Sequence, residues 1–236
     1  MQEQFLDNWE RRFVRYLESR PERTDGSHDL GHFQRVWKAA RYINREEGNP
    51  ADPLILLASA YFHDLVSLPK DHPQRSESSR LSAEETVRLL RSVFRGGIGE
   101  GVGGEADGEG FSPERTEGVR HAIHAHSFSA GIKPLTAEAK ILQDADRLEA
   151  IGAIGLARVF YTAGQLHSRL FDPADPLAEN REPDDRRFAL DHFSLKLLKL
   201  PAMMNTGTGR RLAEANAAYL LQFLDKIRGE IMGDYS

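Results

Sequence analysis

Leu54-Ile55-Leu56-Leu57-Ala58-Ser59-Ala60-Tyr61-Phe62-His63-Asp64 is the stretch on which the reading of this chain turns. Its first nine residues carry no charge and form a hydrophobic helical run, and the run ends on a histidine and an aspartate. That dyad has left the surface pattern and entered a core. A carboxylate in such surroundings is costly unless it is paired or bound to a metal.

Two more ligand-capable residues lie in similar settings. His32 sits within His28-Asp29-Leu30-Gly31-His32-Phe33-Gln34-Arg35-Val36, and Asp146 within Ile141-Leu142-Gln143-Asp144-Ala145-Asp146-Arg147-Leu148. Two imidazoles and two carboxylates on three helices suit a divalent cation of intermediate hardness and point to metal-assisted hydrolysis. His28 and His32 are four residues apart and can face one side of a helix. His63 and Asp64 are adjacent and point about 100° apart, yet near a helix end they can approach one ion from different directions. Each residue also has a plainer reading. An isolated helical histidine is commonly just hydrogen-bonded, Asp64 could cap the polar turn that follows it, and Asp146 could pair with Arg147 or Arg35. Spacing alone does not separate Asp144 from Asp146.

The composition narrows the field. The 236 residues fit one domain, or one domain with an appended helical subdomain. A hydrophobic share of 40% and a mean hydropathy of −0.51 describe a soluble globular chain that can bury a sizeable core. A net charge of −5 and a pI near 6.0 give no electrostatic argument for nucleic acid or for anionic membranes. There is no cysteine, which excludes disulfides, thiolate catalysis, iron–sulfur clusters and cysteine-based zinc sites, and fits a cytoplasmic protein. The polar, acidic start from Met1 to Glu10 does not read as a signal peptide, and no apolar run approaches the ~20 residues of a membrane span.

Helical periodicity dominates the rest. Leu6, Trp9, Phe13, Val14, Tyr16 and Leu17 predict a first helix over about 4–19. A second is expected over about 29–47, closed by Gly48-Asn49-Pro50, and a third from Pro53 to near Leu65. Ser67 to Ser79 is polar and is expected to wall the site. A helix resumes at Leu81 and runs to about Phe94. Gly96 to Gly110, with eight glycines and three glutamates, lacks the lysine and hydroxyl of a phosphate-gripping loop and reads as a surface connection. Further helices are expected from Pro113 to about His126, from a Thr136 cap to Tyr161, and over 187–200 and 207–231. Trp9, Trp37, Met203 and Met204 read as packing residues. No repeat and no strand series is evident, so the architecture reads as all-α: a single domain over 1–236, with a core at about 25–160 and a C-terminal helical extension at about 185–232.

The pattern His32, His63-Asp64, Asp146 resembles the signature of the HD-domain metal-dependent phosphohydrolase superfamily. His28 through Val36, Tyr61-Phe62-His63-Asp64, His121-Ala122-Ile123 with His126-Ser127-Phe128-Ser129, Ile141 through Phe160, and Phe188 through Phe193 continuing to Lys196 through Pro201 are together similar to the bacterial YedJ-type group. The likeness spans nearly the whole chain in order. It implies an HD-domain, PDEase-like helical bundle with His32, His63, Asp64 and Asp146 as ligands of a divalent Mn, Mg, Co or Ni ion, and so selects Asp146 over Asp144. It also implies hydrolysis of a small phosphorylated substrate. Some related small members resemble manganese-dependent nucleoside triphosphate pyrophosphohydrolases.

Around that metal, Asp64 is the best candidate to orient the attacking water. Lys70 and Arg75, in the loop after the dyad, are the candidate phosphate contacts. Asp29 could accept from a ligating imidazole, and Arg35 could pair with Asp64 or Asp29. His121, His124 and His126 form a dense cluster, in which the resemblance favours His121 and His126. A phosphate contact or a supporting role suits His126. A binuclear centre there would favour a phosphodiesterase. The non-catalytic alternative is a metal-stabilised sensor or scaffold, which predicts a closed shell and no pocket beside Lys70 and Arg75. A terminal helix could also serve a homodimer.

Overall fold

The structure is a computed structural model and describes residues 2–20, 29–68, 74–95, 110–127 and 130–234. Lys70, His28 and the glycine-rich residues 96–109 lie outside the described residues. The helices are α1 (Gln2–Glu18), α2 (Leu30–Glu46), α3 (Pro53–Phe62), α4 (Ser78–Ser92), α5 (Pro113–His126), α6 (Ala137–Leu148), α7 (Gly152–Gln165), α8 (Asp191–Leu195) and α9 (Gly207–Met232). Among the described residues there is no strand, only an isolated bridge between Arg169 and Phe188. The all-helical expectation holds. The chain divides into two compact units, Met1–Ala145 and Asp146–Ser236, and the division falls within α6.

In the first unit α3 is the central element. All of Leu54 to Phe62 is buried, as a helix apolar on every side requires. Asp52 starts it, accepting from the backbone N–H of Leu54 at 2.8 Å, with Pro53 in the first turn. Phe13 of α1 meets Phe62 edge-on at 4.8 Å and Phe94 at 5.1 Å, and Trp9 meets Phe111 at 5.1 Å. α5 comes close along Gly118, where a Cβ would sit 2.8 Å from Ile55 Cδ1. α6 is anchored at both ends of its share of this unit. Glu138 accepts from the Asp52 N–H at 2.9 Å, and Gln143 Nε2 donates to the Ala125 carbonyl at 2.8 Å.

One polar network sits in this core. Tyr61 donates to Glu10 at 2.5 Å, and Trp37 Nε1 donates to the same carboxylate at 3.2 Å. Burial first, then the hydrogen bond and charge of Glu10, push the Tyr61 phenol far above its ordinary range. The folded protein therefore keeps this proton where an unfolded tyrosine loses it, near pH ~10. The contribution is whole below that pH and falls as pH rises above it. Tyr61→Phe is expected to cost about 1–3 kcal/mol at neutral pH and to make the alkaline loss of stability shallower, as read by urea unfolding from pH 7 to 11.

The second unit departs from the sequence expectation in two places. The helix expected from Thr136 to Tyr161 does begin at a Thr136 cap, with the Ala139 N–H donating to Thr136 Oγ1 at 3.2 Å. It then breaks after Leu148. Residues 149–151 bond back three residues, Ile151 is extended, and α7 restarts at Gly152 with φ +72°. A Cβ on Gly152 would lie 2.8 Å from Asn216, and one on Gly155 2.3 Å from the Ala150 backbone. These glycines sit at the start of α7, after the break, and both are closely packed. The helix expected over 187–200 is shortened to α8 and a 3₁₀ segment, Leu197–Met203, with Pro201 inside it removing a donor. Phe193 stacks on Phe223 of α9 at 5.9 Å, and Leu197, Leu200 and Met204 complete the local core.

Candidate metal centre

The C-terminal ends of α3 and α5 deliver the reactive side chains. His63 is the residue after α3, fully buried, and Asp64 follows it with 21% of its side chain exposed. The dyad is therefore split: the imidazole lies in the core and the carboxylate at its rim. His126 is the last residue of α5 and is buried. His63 Nδ1 lies 2.9 Å from the Ala60 carbonyl, and His126 Nδ1 lies 2.6 Å from the Ile123 carbonyl. A carbonyl only accepts, so each Nδ1 carries a proton and Nε2 is the ring nitrogen whose lone pair can bind an ion.

Those lone pairs point to one place. His126 Nε2 is 3.5 Å from Asp64 Oδ1, and His63 Nε2 is 3.9 Å from Asp64 Oδ2. His63, Asp64 and His126 each offer a ligand atom, all within 4.8 Å of one another. His32 is fully buried in the first turn of α2, where the Asp29 carboxylate accepts from its backbone N–H at 2.8 Å. Its Nε2 is 3.1 Å from that of His63. With the His63 proton held on Nδ1, two ring nitrogens this close need a shared proton or a cation. Mixed imidazole and carboxylate donors fit a divalent ion of intermediate hardness, so the residues present suit the metal that the sequence implied.

Among the described residues, the Asp29 carboxylate accepts from a backbone N–H and from no imidazole nitrogen. It caps α2 instead. Asp144 is fully buried on α6, and Asp146, in its last turn, is half-buried. His121 is spent elsewhere, its Nε2 accepting from the Leu135 N–H at 3.0 Å. His124 is held below its usual pKa by burial and by Arg120 and Arg80. Arg75 opens a 3₁₀ turn, Arg75–Glu77, and donates to the Leu68 carbonyl at 2.6 Å. It lines a small cleft with Asp64 and His126, whose remaining walls are the serines at 67, 78, 79 and 127. Serines carry too little sequence signal to have been singled out.

The HD domain family matches residues 29–151. An uncharacterized protein of Bacillus subtilis (strain 168), YpgQ, is 35% identical over 210 residues, 87% of this chain and 85% of that protein. The crystal structure of Bacillus subtilis YpgQ in complex with ADP superposes with a TM-score of 0.66 and 32% identity, over 95% of this chain and 99% of that one. An HD-superfamily hydrolase from Bacillus thuringiensis gives a TM-score of 0.68 at 26% identity, over 95% and 97%.

Proposed function

The chain belongs to the HD-domain phosphohydrolase superfamily and is a metal-dependent hydrolase; from that premise we propose that it cleaves nucleoside triphosphates with release of pyrophosphate. The observation that carries the reading is the lone-pair arrangement: two imidazoles locked by carbonyls, facing a rim carboxylate beside an open cleft. The ADP held by the related YpgQ supports a nucleotide as the substrate class. In this reading His32, His63, Asp64 and Asp146 hold the ion, which is Mn, Mg, Co or Ni. The likeness of Ile141 through Phe160 to the family's blocks supports the choice of Asp146 over Asp144. The sequence blocks support a YedJ-type subgroup, and a cytoplasmic location belongs to the same proposal.

A divalent ion, when bound, acidifies water and stabilises charge on phosphoryl oxygens. The residues of this chain do the remaining work. Asp64, at the rim of the core, accepts a hydrogen bond from the attacking water and orients it. His126 keeps its proton on Nδ1, so its Nε2 lone pair faces the same space as the Asp64 carboxylate and can accept from the water that Asp64 orients. Arg75 offers the positive charge that the phosphates require. The cleft beside Arg75 counts against the scaffold, which predicts none there. The trio of His63, Asp64 and His126 favours phosphodiesterase chemistry as the second reading.

The test is metal-supplemented hydrolysis of a nucleotide and phosphoester panel, with Asp64→Ala alongside. Pyrophosphate release that depends on the metal and drops at least ~10²-fold in the variant is the expected result. Orthophosphate as the product would move the assignment to phosphatase chemistry, and turnover of diesters alone would favour the second reading.

A further inference from the structure

Ser78 and Ser79, the first two residues of α4, line the cleft beside Asp64 and His126. Ser79 is 2% exposed, and neither hydroxyl has a hydrogen-bond partner among the described residues. Buried hydroxyls are nearly always satisfied, so two adjacent exceptions in one cleft need an explanation. Local helix geometry does not supply one. One turn further on, the Ser82 hydroxyl accepts from the Val66 N–H at 3.0 Å and donates to the Val66 carbonyl at 3.1 Å, and Thr86 donates to the Ser82 carbonyl at 2.7 Å.

We propose that Ser78 and Ser79, with Arg75, form a subsite that grips a phosphoryl group of the substrate next to Asp64. Consecutive helical residues point about 100° apart, so their hydroxyls approach one bound group from two directions. A phosphoryl group offers three acceptor oxygens in a tetrahedral array and can take two hydroxyls and a guanidinium from different directions at once. Both serines are neutral donors. They add hydrogen bonds without drawing the Asp64 carboxylate into an ion pair that would compete with its work. Arg75 is steadied by its bond to the Leu68 carbonyl and carries the charge. The cleft thus has its neutral donors on α4 and its one guanidinium just before it. The inference rests on the phosphohydrolase reading above and extends it to residues with no ligand role.

The probe is inorganic pyrophosphate, titrated calorimetrically into wild type, Ser79→Ala and the Ser78→Ala/Ser79→Ala pair in the presence of Mn²⁺. Mn²⁺ uptake is followed separately by its paramagnetic resonance signal. Ser59→Ala is the control, because Ser59 is also buried and unpartnered but does not line the cleft. Pyrophosphate affinity should fall about 10- to 100-fold in the pair, as expected for hydroxyl donors to a charged acceptor. Ser59→Ala should bind as wild type, Mn²⁺ affinity should be unchanged throughout, and melting temperature should not fall, since the alanines remove orphaned polar atoms. Wild-type pyrophosphate affinity in the pair, or no pyrophosphate binding by wild type, would overturn the subsite. Absence of Mn²⁺ uptake by wild type would instead overturn the metal reading, and the same titration without metal would still judge the serines. If the pair fails to fold, Ser79→Ala alone carries the test.

Discussion

His63→Ala is expected to lower metal-dependent turnover by about 10³-fold or more, the largest functional effect of any single substitution here. The imidazole is fully buried and faces both His32 and the Asp64–His126 pair, so its loss removes a donor common to every neighbouring ligand. The expected signature is a parallel loss of metal affinity and kcat, with substrate binding less affected. His121→Ala is the contrasting variant. Its ring nitrogen serves the Leu135 backbone, so it should retain near wild-type turnover and lose some stability. Metal titrations and thermal melts of both proteins check the pair. Unchanged metal affinity in His63→Ala would sink the assignment.

Arg181→Ala is expected to cost about 3–5 kcal/mol, the largest stability effect in the second unit. Arg181 holds the fully buried Asp191 carboxylate through two hydrogen bonds, at 2.5 and 2.8 Å, and lies over the Phe188 ring at 4.6 Å. The Asp184 N–H donates to the same carboxylate at 2.6 Å. The cost arises less from the lost attraction than from an unpaired buried carboxylate. Arg181→Lys should recover only part of the loss, since an ammonium cannot reproduce the paired contact. Urea unfolding of both variants is the measurement. A loss below about 1 kcal/mol in Arg181→Ala would show that the carboxylate finds another partner or water.

These two sites differ in how far the sequence announced them. His63 stood out because it follows nine uncharged residues, a violation of pattern visible without any structure. The helix beneath it was equally legible, from its proline and its unbroken hydrophobicity. Arg181 and Asp191 were not, because nine residues of irregular chain separate them and no periodicity links the two. The break between α6 and α7 was misread for a related reason. Leu148, Ile151 and Ile154 keep helical spacing through the turn, while the left-handed Gly152 is set by tertiary contact with Asn216. At the metal site, residue types that bind ions declared themselves. Ser78 and Ser79 did not, since serine is common on helix starts and only burial makes these two unusual.

Two of the groups that aim the site belong to no side chain. The Ala60 and Ile123 carbonyls fix which nitrogen of His63 and His126 bears the proton, and every amino acid carries such a carbonyl. Sequence drift at positions 60 and 123 can alter packing but cannot delete the acceptor. This part of the chemistry is therefore inherited through the helix path rather than through residue identity, and an alignment column would leave no trace of it. An engineer seeking to transplant the centre would have to copy two helix ends, not a list of residues.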